Sequence, residues 1–160
     1  MDREEIVTAF REVLDAANIA YKVNTATRPG SIVISFGMKC RSSIARAWAL
    51  FEFKGTGMRL YGIAPGLAET KHLPEMYKLL AMVNRDMVAG CFELESGQVR
   101  FRYFTDCTGF ATVPRDFVFE TLLLPFRMFE RYYGDAFVAL DEGFPDASIA
   151  FGMARKGDED

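Results

Sequence analysis

The chain has 160 residues, 50% hydrophobic and 26% charged, with fifteen Phe and a net charge of -3. A chain of this length buries on the order of 70% of its extended surface, enough for one real core, and its composition is far from that of disordered segments. Scattered Lys and Arg argue against a phosphate-backbone partner, no apolar run approaches the roughly 18 residues of a membrane-crossing helix, and the start Asp2, Arg3, Glu4, Glu5 is too acidic for a signal peptide. No nucleic acid, no membrane and a cytoplasmic address are therefore expected.

Asp2 with Glu5 three residues later forms an Asp version of the capping box, so a helix is predicted to start there, with Ile6, Phe10, Val13, Leu14 and Ala17 at helical spacing. Asn18, tolerant of the left-handed conformation, is the expected stop. From Ile19 to Ile63 the period changes to short apolar runs between Gly, Pro, Ser and Asn, which predicts strands near Tyr21 to Asn24, Ile32 to Met38, Arg46 to Phe53 and Met58 to Ile63. Lys54-Gly55-Thr56-Gly57 joins the last two as a hairpin. Ala47 to Phe53 is almost continuously apolar, as in a strand covered on both faces or one whose outer face meets a partner.

Helical spacing returns from Leu73 to Met87 through Met76, Leu79, Leu80 and Val83, with Pro74 in the first turn. Cys91 to Glu95 and Gln98 to Phe104 flank Ser96-Gly97, a two-residue hairpin turn. That turn sets Glu95 opposite Gln98, Leu94 opposite Val99, Glu93 opposite Arg100 and Phe92 opposite Phe101, which makes one face apolar and the other salt-bridged. Pro114 opens a long apolar helix to about Tyr133, which Pro125 should bend or break; after Gly134 and Asp135, Ala136 to Leu140 supplies another turn or two. A single α+β domain over residues 1–153 is expected, with an antiparallel sheet, helices on one side and a flexible charged tail over 154–160.

This order, together with Asn84, the strand Gly90-Cys91-Phe92-Glu93-Leu94, the strand Gly97-Gln98-Val99-Arg100-Phe101-Arg102 and the Pro114-led last helix, resembles the YbjN family. That family is similar in fold to type III secretion chaperones. The resemblance covers roughly Arg3 to Leu140 and implies a non-enzymatic, often dimeric, protein-binding domain with no catalytic residue set.

Chemistry-bearing residues are sparse. His72 is the one histidine, so any Ser-His-Asp or Cys-His arrangement would have to use it, and its place before the second helix reads as an exposed loop or cap. Cys40, Cys91 and Cys107 are odd in number and widely spaced, which reads as reduced, mostly buried thiols, with neither a disulfide framework nor a metal motif. Gly55, Gly57, Gly62 and Gly66 match no phosphate-binding loop and read as turn residues, and Asp141-Glu142-Gly143 lacks calcium-loop spacing. No cofactor, metal or catalytic residue is expected.

The positive signal is surplus apolar surface. Phe117, Val118, Phe119, Leu122, Leu123, Leu124, Phe126, Met128 and Phe129 surround most of the last helix, and a helix apolar nearly all round must be covered nearly all round. Phe119, Leu123, Phe126 and Met128 are thus candidates for a homodimer or partner interface, unless the core or the tail covers them. Trp48, Phe51 and Phe53, with the ladder Glu93, Glu95, Arg100 and Arg102, are candidates for holding a segment of another protein, either at a strand edge or in an apolar groove. Plain core would explain the three aromatics equally well, and a solvated face would explain the ladder. The rival class is a small-molecule binder or an enzyme with an apolar pocket between helix and sheet.

Overall fold

The Glu5 amide donates to Asp2 Oδ1 at 3.0 Å and the Asp2 amide to Glu5 Oε2 at 2.7 Å, so the capping box forms and α1 (Arg3–Ala16) starts behind it. Asn18, at φ +54°, turns the chain away in the left-handed region. The computed structural model describes residues 2–25, 30–39, 47–143 and 146–156.

Six strands follow the predicted alternation: β1 (Tyr21–Thr25), β2 (Ile32–Met38), β3 (Ala47–Lys54), β4 (Gly57–Ile63), β5 (Cys91–Glu95) and β6 (Gln98–Asp106). The predicted start of the third strand, Arg46, lies outside the described residues. They form one antiparallel sheet in the order β1-β2-β3-β4-β6-β5. The β5–β6 register is the predicted one, with Phe92 opposite Phe101 and Glu93 opposite Arg100. Its turn residues Ser96 and Gly97 sit at φ +52° and +83°, the left-handed pair that suits the strand twist.

Every second residue of the sheet points into one core. Ile34, Phe36, Ala49, Phe51, Phe53, Met58, Leu60, Phe92, Val99 and Phe101 are buried. Above them lie α1, α2 (Leu73–Asp86, preceded by a tight turn at Thr70–His72), α3 (Arg115–Met128), a π-helical segment (Phe129–Val138), α4 (Ala139–Glu142) and α5 (Ala147–Lys156). Aromatic rings lock the layers together: Phe10 of α1 meets Phe53 edge-on at 5.1 Å, Phe126 of α3 stacks on Phe36 at 6.2 Å, and Phe92 touches Phe129, Tyr132 and Phe137. The class is α+β, with the helices on one side.

Three expectations need correction. Of the bend or break expected at Pro125, the break does not occur: Pro125 is buried on the sheet side, α3 runs on to Met128, and the chain widens into π-helical turns through Gly134 and Asp135 to Val138, where α4 takes over. Gly62 is no turn residue but lies inside β4, where a Cβ would meet Phe129 at 2.5 Å and Pro125 at 3.3 Å; its bareness lets α3 lie close on the sheet. The tail expected from residue 154 is helical through Lys156, because Ala147, Ala150 and Phe151 pack α5 into the core beside α2 and the π-helical segment.

Candidate functional site

The opposite face of the sheet carries no described helix. Registers across the strands place its side chains in three rows: Val33, Glu52, Arg59, Phe104; then Lys22, Ser35, Leu50, Tyr61, Arg102, Cys91; then Gly37, Trp48, Ile63, Arg100, Glu93. Trp48 is 51% exposed and Phe104 60%, while Val33, Leu50, Tyr61 and Ile63 are half-buried. An apolar stripe therefore crosses β2, β3, β4 and β6, with charge on its flanks.

Strand alternation separates the aromatic trio that the sequence suggested as one contact surface. Trp48 faces outward, whereas Phe51 and Phe53, an odd number of residues further on, are 0% exposed and stack on Phe10 and Phe36. Phe51 and Phe53 are core, and only Trp48 can meet a partner. The ladder lies on the same outer face as Trp48. Arg100 bonds Glu93 at 2.5 Å and Glu95 at 3.3 Å, Arg102 approaches Glu93 at 3.4 Å, and the Arg100 guanidinium sits 5.3 Å from the centre of the Tyr61 ring. Charge ladder and apolar stripe are thus one continuous surface, which strand-by-strand reading left as two.

The last-helix candidates also divide. Phe126 and Met128 are half-buried and pack against the core. Phe119 is 50% exposed and Leu123 half-buried, and both remain on the solvent side of α3. One side of the helix, Val118, Thr121, Leu122 and Pro125, is covered, with α1, β4 and the π-helical segment as its neighbours.

Two open hollows meet at Arg59 and Phe104 on the outer face. One of about 630 Å³ is bounded also by Cys91 and Arg102, the other, of about 350 Å³, by Glu52, Lys54 and Asp106. On the helical side a cleft of only about 140 Å³ lies among Leu67, Met76, Tyr133, Phe137 and Asp141. Beside it His72, expected as an exposed loop or cap, stands at the N-cap position of α2 but is half-buried, its Nδ1 3.1 Å from Asp141 Oδ1. That oxygen also accepts the Glu69 amide at 3.1 Å. The pair latches the turn before α2 to α4, a holding role that accounts for both side chains. Burial and the Asp141 charge push the Tyr133 phenol up to about 12.

Cys107 is buried, and desolvation raises its thiol pKa, with Asp106 adding to the effect; Cys91 is half-buried and Cys40 lies outside the described residues. Among the described residues no group of three or more His, Cys, Asp or Glu is placed to hold a metal ion, and no helix is long and apolar enough to cross a membrane. In comparisons with known proteins, no family model, curated protein or solved structure matches this chain.

Proposed function

We propose that the chain is a non-enzymatic, cytoplasmic protein-binding domain, chaperone-like or adaptor in kind, that recognises its partner with the open face of the sheet. One observation carries this reading: in a domain that buries Phe51, Phe53, Phe92 and Phe101 completely, Trp48 and Phe104 stand half or more exposed on one continuous face. Aromatic residues rimmed by arginine are the side chains that dominate protein interfaces, because they exchange a large apolar area for little lost freedom. The hollows at Arg59 and Phe104 offer a ring beside a guanidinium, suited to partner side chains that are apolar with a polar tip. The resemblance to the YbjN family supports the same class.

The small-molecule reading has less behind it. The cleft at Tyr133, about 140 Å³, is smaller than the roughly 300–1,000 Å³ of ordinary ligand sites, and a second hollow of about 450 Å³ between α1 and Ala111, Thr112 and Val113 is lined by Asp2, Glu4, Glu5 and Glu12 where an apolar pocket would be needed.

A photoreactive residue placed at Trp48 or Phe104 should crosslink to protein, while the same probe at Tyr77, equally exposed but on α2, should not. Crosslinks concentrated at Tyr77 would move the recognition surface to α2, and a metabolite-induced thermal shift abolished by changes at the Tyr133 cleft would point to the small-molecule class.

A further inference from the structure

We infer that the hollow at Arg59, Arg102 and Phe104 takes the carboxy-terminal end of another protein's chain, laid along the unpaired end of β6 as a short antiparallel strand. The inference rests on the protein-binding reading above and names the kind of segment that is held.

β6 outruns its neighbour. It pairs with β4 as far as Asp106, but β5 begins only at Cys91, opposite Arg102, so among the described residues no strand pairs with the β5 side of Tyr103, Phe104, Thr105 and Asp106. The hairpin fixes which backbone groups are left open there. Its two-residue turn makes Glu95 and Gln98 a hydrogen-bonded pair, so Gln98, Arg100, Arg102, Phe104 and Asp106 aim their amides and carbonyls toward the β5 side, and the residues between them aim toward β4. Two bonds agree: the Ala64 amide donates to the Val99 carbonyl at 3.0 Å and the Cys107 amide to the Thr56 carbonyl at 2.9 Å, both on the β4 side. The amide and carbonyl of Phe104 and the amide of Asp106 therefore face the line of β5 ahead of its start, where the hollow of about 630 Å³ lies. Such an edge is a template for an added strand.

Gly90 makes the opening. At φ +74° it turns the chain out of the line of β5, and a Cβ there would stand 2.7 Å from the Arg102 carbonyl and 2.5 Å from the Phe101 ring. A guest strand in that line has a blocked end at Gly90 and Cys91 and a free end beyond Asp106. Antiparallel to β6, it brings its carboxy terminus to the blocked end; parallel, it brings its amino terminus.

Charge decides between the two directions. Arg102, opposite Cys91, and Arg59, opposite Phe104, both line the hollow with about half of each side chain exposed. Their acid neighbours, Glu93 at 3.4 Å from Arg102 and Glu52 at 3.9 Å from Arg59, leave most donors of each guanidinium over. A terminal carboxylate gains charge-assisted bonds there, whereas an ammonium is repelled. Register then sets the side chains: the last residue, opposite the exposed Phe104 ring, is large and apolar, and two residues earlier, opposite Asp106, a Lys or Arg is favoured.

A fluorescein-labelled peptide Gly-Ser-Gly-Lys-Thr-Phe with a free carboxylate should bind with a Kd on the order of 10–100 μM by fluorescence anisotropy. The same peptide with an amidated end should bind at least about tenfold more weakly. Arg102→Gln should weaken the acid about tenfold and leave the amide unchanged. Phe104→Pro, which removes the outward amide and spares the β4 ladder, should abolish binding, while Phe104→Ala, which keeps that amide, should stay within about tenfold of the wild type. Far-UV circular dichroism checks that the variants fold. Amide exchange of the wild type needs no substitution: the Phe104 and Asp106 amides should exchange fast alone and slow when the peptide is present. Equal binding of acid and amide, no slowing at Phe104, or no binding up to about 1 mM overturns the inference. If the crosslinking probes at Trp48 and Phe104 capture protein while the peptide fails to bind, the tail site is lost and the protein-binding reading stands. If the peptide binds as expected and those probes capture nothing, the tail site stands and recognition by the open sheet face falls.

Discussion

The side-chain amide of Asn84 on α2 holds both backbone polar groups of Phe92 on β5: Oδ1 accepts the Phe92 amide at 2.7 Å and Nδ2 donates to the Phe92 carbonyl at 2.8 Å. Because β5 is an edge strand, those groups would otherwise face outward and offer a template to another chain. One side chain thus does the work of a neighbouring strand and closes this edge.

Asn84→Ala should therefore cost about 2–3 kcal/mol, as two partly buried backbone groups lose their partners. Urea unfolding measures the loss, and amide exchange at Phe92 should accelerate well before global unfolding.

Gly62→Ala should cost about 1–3 kcal/mol by forcing a methyl into the buried Phe129 ring. Combining it with Phe129→Leu should cost less than the sum of the two, by roughly 1 kcal/mol, since the smaller side chain yields the space. A double-mutant cycle in urea checks this.

Trp48 and Phe51 lie on one strand but on opposite faces. Phe51→Ala should lose about 3–5 kcal/mol and Trp48→Ala less than about 1 kcal/mol. Equal losses would mean that Trp48 is core.

Glu75 ties α5 to α2: it bonds Lys78 and accepts the Ala147 amide, and these contacts, Lys78 first, hold its carboxyl below the usual glutamate range. A lowered folded pKa gives stability that is present above the ordinary glutamate value and lost as pH falls through the lowered one. Urea midpoints of the wild type should decline across that acid window, and Glu75→Gln should flatten the decline.

Tyr133 behaves in the opposite sense. Its phenol is raised from 10.0 to about 12 by burial and by Asp141, so its contribution is complete below the ordinary phenol value and disappears as pH climbs toward 12. Tyr133→Phe should remove part of the alkaline destabilisation, and ultraviolet titration of the wild type should show one tyrosine ionising late.

By itself the sequence determined what depends on neighbours a few residues away. The Asp2–Glu5 cap, the Asn18 stop, the Ser96-Gly97 turn and the Glu93–Arg100 register follow from spacing and turn chemistry, and all stand where the residues placed them. Tertiary structure decided what depends on distant packing. Alternation puts Trp48 and Phe51 on opposite faces, yet both are large and aromatic, and only the arrival of Phe10 and Phe36 makes Phe51 the buried one. The same holds for the bareness of Gly62, the passage of α3 through Pro125, the docking of α5 and the latch of His72 on Asp141. Burial belongs to surfaces that meet in space, and chain order does not encode which surfaces meet.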